Sequence, residues 1–436
     1  MPNKDKSLPV HRITRLGKFA SLATRVAGNV IAEGSKQIVQ GQRPKAKDLL
    51  LTPQNITRLT TQLAQLRGAA MKLGQMLSMD AGDMLQPELA EILARLRSDA
   101  DPMPAKQLNA VLETALGPDW KMAFLAFNFK PIASASIGQV HQAYSDTGDR
   151  LAVKVQYPGI RQSIDSDVDN VGTLLKVVNL IPESIDYKGF LEDAKQQLHD
   201  EADYQREAAF ARRYHDLLRP YTQFVVPRIY PDSCSASVLA MEFIQGEPIE
   251  TIAHRDQQTR DLVMKNLLEL LFLELFEFKM VQTDPNFANF LYLKDTGQIG
   301  LLDFGATREY STHFSNGYRQ AFKAVIHHDE NGLNQALQQI GFFSQAILPE
   351  QRQAILDLVK MACEPMLIDD QYDFQASGLA VRLRKAGTIL SMEQDYWHTP
   401  PADALFLHRK IAGLYLLAAR TGAKVNVRRM VLPYLD

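Results

Sequence analysis

Two short hairpins set in a helix-rich chain do most to limit its fold. Ser145 to Asp149 (Ser-Asp-Thr-Gly-Asp) reads as a turn joining β-rich runs at 139–144 and 150–156. Lys294 to Gly297 (Lys-Asp-Thr-Gly) does the same for 289–293 and 298–303. Two further strand-like runs lie at 225–230 and 237–244. Helical periodicity covers 54–98, 105–116 (closed by Gly117-Pro118), 162–180, 190–218 and 255–281, and everything from 312 on except a looser stretch at 365–378. The order is helices, a small β-rich unit, then a large helical unit with one late hairpin, which predicts an α+β architecture with segregated elements. The 436 residues suit two to three domains, and the texture changes divide them at 1–117, 118–246 and 247–436.

Composition narrows the partners. With 48 Lys+Arg against 50 Asp+Glu, the net charge of −2 excludes a whole-protein basic footprint for nucleic acid. The two cysteines, Cys234 and Cys363, lie far apart without metal-ligand spacing, which excludes a disulfide framework and suits a reducing, cytoplasmic setting. The most apolar run, 262–281, is interrupted by Lys265, Glu269, Glu274, Glu277 and Lys279, so no membrane-spanning helix is expected. The first 48 residues hold ten Lys/Arg against three acids, a local net of +7. Within them Leu16, Phe19, Ala23 and Val26 form one apolar stripe flanked by basic side chains. Such a helix either docks on the protein or lies on an anionic membrane surface, which would make the chain peripheral on an inner membrane face. Met71, Met76, Met79 and Met84 supply adaptable apolar surface, suited to core packing or to lipid contact.

The chemistry concentrates around the second hairpin. Asp284 is followed five residues later by Asn289, and Asp303-Phe304-Gly305 comes after the hairpin, the spacing of protein-kinase catalytic and magnesium loops. The hairpin returns the chain, so Asn289 and Asp303 converge from neighbouring strand ends. Mg²⁺ prefers hard oxygen ligands, and this pair supplies an amide and a carboxylate, with phosphate and water completing the shell. Asp284 would then stand beside the attacking nucleophile. Upstream, Leu151-Ala152-Val153-Lys154 is an apolar strand carrying one lysine suited to α/β-phosphates. It follows a small-residue turn (Ala133, Ser134, Ala135, Ser136) in which only Gly138 is glycine; the Cβ atoms there restrict close approach to phosphate. On one continuous helix over 190–218, Asp203 and Glu207 share a face while Glu201 lies about 240° round from Glu207. Glu207 is therefore the expected partner of Lys154, and Glu201 is left to reach another. The strand ending at Met241, Glu242 and Ile244 has the form of an adenine-binding hinge.

Together with Lys72-Leu73-Gly74-Gln75, these motifs resemble the UbiB (AarF/ADCK) family of atypical protein-kinase-like proteins over nearly the whole chain. The markers are Lys-x-Gly-Gln, the alanine-rich loop, Glu201-x-Asp203, Gln282-Thr283-Asp284 and Asp-Phe-Gly. The run from Thr283 to Asn289 and the run Leu407-His408-Arg409-Lys410-Ile411-Ala412-Gly413-Leu414 look closer to the coenzyme Q-linked branch than to the membrane-anchored UbiB type. Ser134 stands where many members carry alanine. The resemblance implies an atypical protein-kinase-like bilobal fold, with a helical N-terminal extension capping the nucleotide cleft. It also implies that Lys72 and Gln75 project from this regulatory cap, with Lys72 pairing to Glu201. It further implies ATP (or ADP) and Mg²⁺ as cofactors, and ATPase or small-molecule kinase activity supporting isoprenoid quinone biosynthesis. The expected partners are nucleotide, an anionic membrane surface, an isoprenoid or quinone-precursor lipid and quinone-biosynthetic proteins. A pseudokinase scaffold and a nucleotide-switched lipid-binding protein are the competing readings; the complete Lys154, Asp284, Asn289, Asp303 set favours chemistry.

Overall fold

The computed structural model describes residues 60, 63, 66–81, 102–135, 137–177, 187–343, 347–393 and 401–435. The basic stripe at 16–26, Met84 and Ser136 lie outside the described residues, as do the side chains of Gln75 and Met79. The chain forms two compact units. One comprises the described residues up to Ala208 together with Ile229–Phe243, the other Ala209–Arg228 and Ile244–Asp436.

The first unit starts with helix α1 (Arg67–Ala81), whose Ala69, Ala70, Leu73 and Met76 are buried at helical spacing. α2 (Ala105–Leu116) follows and stops at Gly117. The antiparallel sheet is β1 (Ala126–Phe127), β2 (Ala133–Ser134), β3 (Gly138–Tyr144) and β4 (Arg150–Gln156), with β1 and β2 both pairing β3. Along β4 Leu151, Val153 and Val155 are fully buried, while Ala152 and Lys154 face the other side. The buried face of β3 carries Gln139 and His141, whose ring accepts from Gln139 at 2.8 Å and donates to the Asn128 carbonyl at 2.8 Å. Gln139 also accepts from the Met103 amide at 2.8 Å, fastening the approach to α2 onto the sheet. Burial holds the His141 pKa down, consistent with this neutral tautomer.

α3 (Ile160–Val177) and α4 (Tyr187–Glu201) pack against α1. The expected single helix over 190–218 is two: α4 ends at Glu201, and α5 (Tyr204–Leu217) starts after a break at Ala202 and Asp203. Asp203 makes the break by capping α5, its carboxylate accepting from the Arg206 amide at 3.0 Å. The strand expected over 225–230 reduces to β5 (Phe224–Val225), because Pro227 lacks a ladder donor; Ile229 makes one isolated bridge to Met241. β6 (Val238–Glu242) completes the first sheet beside β4.

In the second unit β7 (Glu247–Pro248) leads to α6 (Gln257–Phe272), capped by Asp256. A π-helical turn, Leu273–Phe278, extends α6 and ends at Lys279 in the left-handed region (φ 52°). β8 (Met280–Gln282), β9 (Phe290–Leu293), β10 (Gln298–Leu301) and β11 (Thr307–Glu309) then form two small sheets, β5-β10-β9-β7 and β8-β11. β5 joins β10 in parallel; the other pairs are antiparallel. The remainder is helical: α7 (Thr312–Ile326), α8 (Glu330–Ile340), α9 (Pro349–Ala362), α10 (Leu379–Glu393) and α11 (Ala402–Thr421). The looser stretch near 365–378 contains β12 (Tyr372–Asp373), which pairs with β13 (Lys424–Val425), a strand pair that helical periodicity concealed. Among the described residues no helix is long and apolar enough to cross a membrane.

α7 and α11 meet through half-buried His408, 2.8 Å from the Tyr318 hydroxyl, and desolvation pushes its pKa down to about 4. The folded chain keeps this imidazole neutral while the unfolded chain protonates it below the ordinary value of about 6.5. Its contribution is therefore fully present above that value and lost as pH falls towards 4. Urea titrations of wild type and His408→Leu should show the variant losing roughly 2 kcal/mol less stability between pH 7 and pH 5. Parallel losses in the two proteins would rule the imidazole out.

Candidate active site

The second unit holds Asp284, Asn289 and Asp303. β9 and β10 pair from Phe290–Leu301 to Leu293–Gln298, so the residues just outside the hairpin's open end, Asn289 and Leu302, are joined by a backbone hydrogen bond of 3.0 Å. That pairing brings Asn289 and Asp303 to the wall of one small cavity, which Gln282, Phe290 and Phe304 also line. The β8–β11 pair seats the start of the loop: the Thr283 hydroxyl donates to the Ala306 carbonyl at 2.7 Å. The Asn289 amide donates to Asp284 Oδ2 at 2.9 Å, while Asp284 Oδ1 accepts from the Asn286 amide at 3.2 Å. Donation through Nδ2 orients the Asn289 side chain and leaves its carbonyl oxygen available to a cation. Asp303 Oδ1 takes the Gly305 amide at 3.0 Å, which fixes the Asp-Phe-Gly turn, and Phe304 is buried against Tyr214 with ring centroids 4.8 Å apart. Among the described residues no group of three or more His, Cys, Asp or Glu could hold a metal. One carboxylate and one amide oxygen form a donor set for a hard cation that shares its shell with phosphate.

The first unit positions Lys154 and Glu207. Lys154 Nζ donates to Glu207 Oε1 at 2.6 Å, with the two side chains 12% and 3% exposed. Lys72 pairs with Glu201, Lys72 being buried on α1. The expected division of labour between Glu201 and Glu207 stands, but a different geometry produces it. The two acids end one helix and begin the next, so their divergence comes from the Asp203 break and not from angular separation on one helix. Gly74 is buried in α1 beside Leu73.

The small-residue turn is where the structure changes the reading most. Ala133 and Ser134 form the exposed strand β2, and the Ala135 amide donates to the Gly138 carbonyl at 2.9 Å, closing the turn. Gly138 itself is a buried strand residue. A Cβ built there would lie 2.4 Å from the Val155 carbonyl oxygen, so glycine is required for β3 to approach β4. Met241 is buried in β6, Glu242 is exposed opposite Leu151, and Ile244, in the second unit, packs over Gly300.

Three residues behind the catalytic-type loop escaped sequence reasoning: Glu274, Lys410 and Gly413. Lys410 lines the same cavity as Asn289 and Asp303 and donates to Gln282 Oε1 at 3.0 Å. One turn along α11, Gly413 abuts Pro285, where an added Cβ would lie 2.5 Å from the proline ring. Their spacing, i and i+3, was visible in the run 407–413, but nothing local says that this helix face meets a loop 120 or more residues earlier.

Comparison with known proteins identifies the domain. The ABC1 atypical kinase-like domain matches residues 95–337. The mitochondrial atypical kinase COQ8 of Saccharomyces cerevisiae is 36% identical over 98% of this chain and 85% of its own length. The mitochondrial atypical kinase COQ8B of Rattus norvegicus is 36% identical over 98% of this chain and 81% of its own. A solved structure of Rv3197 from Mycobacterium tuberculosis, in complex with erythromycin, is 26% identical, covers 86% of this chain and 94% of that one, and superposes with a TM-score of 0.59. These likenesses carry an α+β kinase-like fold and a nucleotide-binding, kinase-type domain. The chain belongs to the ABC1 atypical kinase-like family, the group of the COQ8 and AarF-domain atypical kinases.

Proposed function

We propose that the chain is a Mg²⁺-dependent ATPase or small-molecule kinase that supports isoprenoid quinone biosynthesis at a membrane surface. The observation carrying this reading is the Asn289–Asp284 hydrogen bond beside Asp303 on one cavity wall. Asn289 and Asp303 would hold Mg²⁺, which when bound neutralises charge on the transferring phosphoryl group. Asp284 orients the attacking hydroxyl or water and accepts its proton. Lys154, held by Glu207, takes the α/β-phosphates of ATP or ADP. The alanine-rich turn, in which β2 replaces a glycine-rich loop, would contact the phosphates, and the backbone near Met241, Glu242 and Ile244 would receive the adenine. The Lys72–Glu201 ion pair supports a regulatory cap, with Lys72, Gly74 and Gln75 on an extension spanning 1–117 and Glu201 and Asp203 on the lobe at 118–246, ahead of a second lobe at 247–436. Similarity to the COQ8 atypical kinases supports the quinone-type substrate of this reading, and the basic N-terminal composition supports its peripheral membrane location.

Phosphate release from ATP tests the reading, measured with and without Mg²⁺, anionic liposomes and a phenol resembling a quinone head group. Mg²⁺-dependent release, raised by liposomes or phenol, is expected. Nucleotide binding with no release in any arm would replace the enzyme with a scaffold. Isoprenoid binding that changes with the bound nucleotide, again without release, would make the chain a lipid carrier.

A further inference from the structure

Beneath the loop lies a buried polar cluster. Glu274, 1% exposed, occupies the second position of the π-helical turn, and Lys410, 2% exposed, comes from α11. Glu274 Oε1 accepts from the Tyr214 hydroxyl at 2.6 Å and from the Gln282 backbone amide at 3.1 Å. Lys410 Nζ lies 4.0 Å from Glu274 Oε2, donates to the Gln282 side chain at 3.0 Å, and sits 5.0 Å from the centroid of the Phe290 ring. Gln282 is thus held by its backbone from one side and by its side chain from the other, two residues before Asp284. Phe290, directly after Asn289, is held by the same ammonium.

Such a cluster is costly as mere packing. Burial pushes Glu274 up and Lys410 down from their ordinary values, and the attraction between them works against both shifts; Asp284 is the second negative charge acting on Lys410. Among the described residues Glu274 Oε2 and Gln282 Nε2 have no hydrogen-bond partner, although both residues line the cavity shared with Asn289 and Asp303. Apolar residues of similar volume would commonly be as stable or more so. The π-helical turn is itself a departure from α-helix of the kind that gathers at functional sites. α11 reinforces the contact further along the loop, with Gly413 against Pro285 and the Arg420 guanidinium 5.5 Å from the Phe287 ring centroid.

We propose that Lys410 is a positioning residue, which acts through Gln282, Glu274 and Phe290 to set the loop carrying Asp284 and Asn289 for phosphoryl chemistry. The inference rests on the kinase-type reading above, and its test keeps the two separable. Lys410→Met leaves the Glu274 charge buried without its cation and should sharply destabilise the chain; Glu274→Gln/Lys410→Met removes both charges and should return the melting temperature to near the wild-type value. Positioning predicts that kcat in the double variant nevertheless stays about 30- to 100-fold below wild type, with KM for Mg²⁺-ATP within about threefold. It also predicts faster hydrogen exchange across 283–290 than in wild type. Recovery of wild-type kcat in the double variant would reduce Lys410 to a neutraliser of Glu274. If wild type itself releases no phosphate, the kinase-type reading fails, and hydrogen exchange decides the positioning role alone: unchanged protection of the loop in the double variant would overturn it.

Discussion

Asp303→Asn should abolish Mg²⁺-dependent phosphate release while leaving the chain folded. The substitution conserves shape, and the amide oxygen can still accept from the Gly305 amide that now bonds Oδ1 at 3.0 Å, so the turn keeps its conformation. Phe304 stays buried against Tyr214, and a melting temperature within a few degrees of wild type is expected. What disappears is the one negative charge that Asp303 brings to the wall it shares with Asn289. Metal-borne charge stabilisation of a transferring phosphoryl group is worth several kcal/mol; losing about 4 kcal/mol lowers turnover roughly a thousandfold. Raising Mg²⁺ should restore part of the rate, because the ligand change weakens metal affinity before it touches the chemistry. Turnover equal to wild type at every Mg²⁺ concentration would remove Asp303 from the metal site. The matching change at Asn289 should be milder and mixed, since its amide also holds Asp284 at 2.9 Å.

What the sequence made legible was local. The turn from Lys294 to Gly297 specified a hairpin, the hairpin specified a register, and the register brings Asn289 next to Leu302 without any long-range information. The alternation of Leu151, Val153 and Val155 against Lys154 likewise places that lysine on the face away from the core. Periodicity failed where a single residue overrides it. Asp203 scores as an ordinary polar position in a helical run, yet its carboxylate offers the Arg206 amide a cap and divides one expected helix into two. Gly138 looked like the remnant of a phosphate loop, and its reason for being glycine is instead the Val155 carbonyl 2.4 Å from where its Cβ would be. Glu274 and Lys410 were out of reach altogether. Glu274 reads as one of several charges interrupting an apolar helix, and only the π-helical turn aims it inward at a lysine 136 positions later. Burial of a charged pair is a tertiary fact, and neither residue has a short-range neighbour that announces it.

Lys154→Met should be the most destabilising of the substitutions considered in the first unit, and a second change should undo that effect without restoring nucleotide binding. The Glu207 carboxylate is 3% exposed and receives the lysine ammonium at 2.6 Å. Removing the lysine takes away the cation that this buried carboxylate pairs with, and breaking such a pair costs about 3 to 5 kcal/mol. The place of Glu207 in the first turn of α5 lets the helix dipole offset a little of this, but only about 0.3 to 1 kcal/mol. Lys154→Met/Glu207→Gln removes the buried negative charge as well, so its urea midpoint should recover most of the loss. Nucleotide affinity should not recover, because an uncharged methionine gives the phosphates nothing to bind; titration of ATP into the refolded double variant should show a dissociation constant raised at least tenfold over wild type. The opposite pattern is equally readable. A double variant that binds ATP as wild type does would make the Lys154–Glu207 pair a structural tie between β4 and α5, and the phosphates would have to be held by other residues.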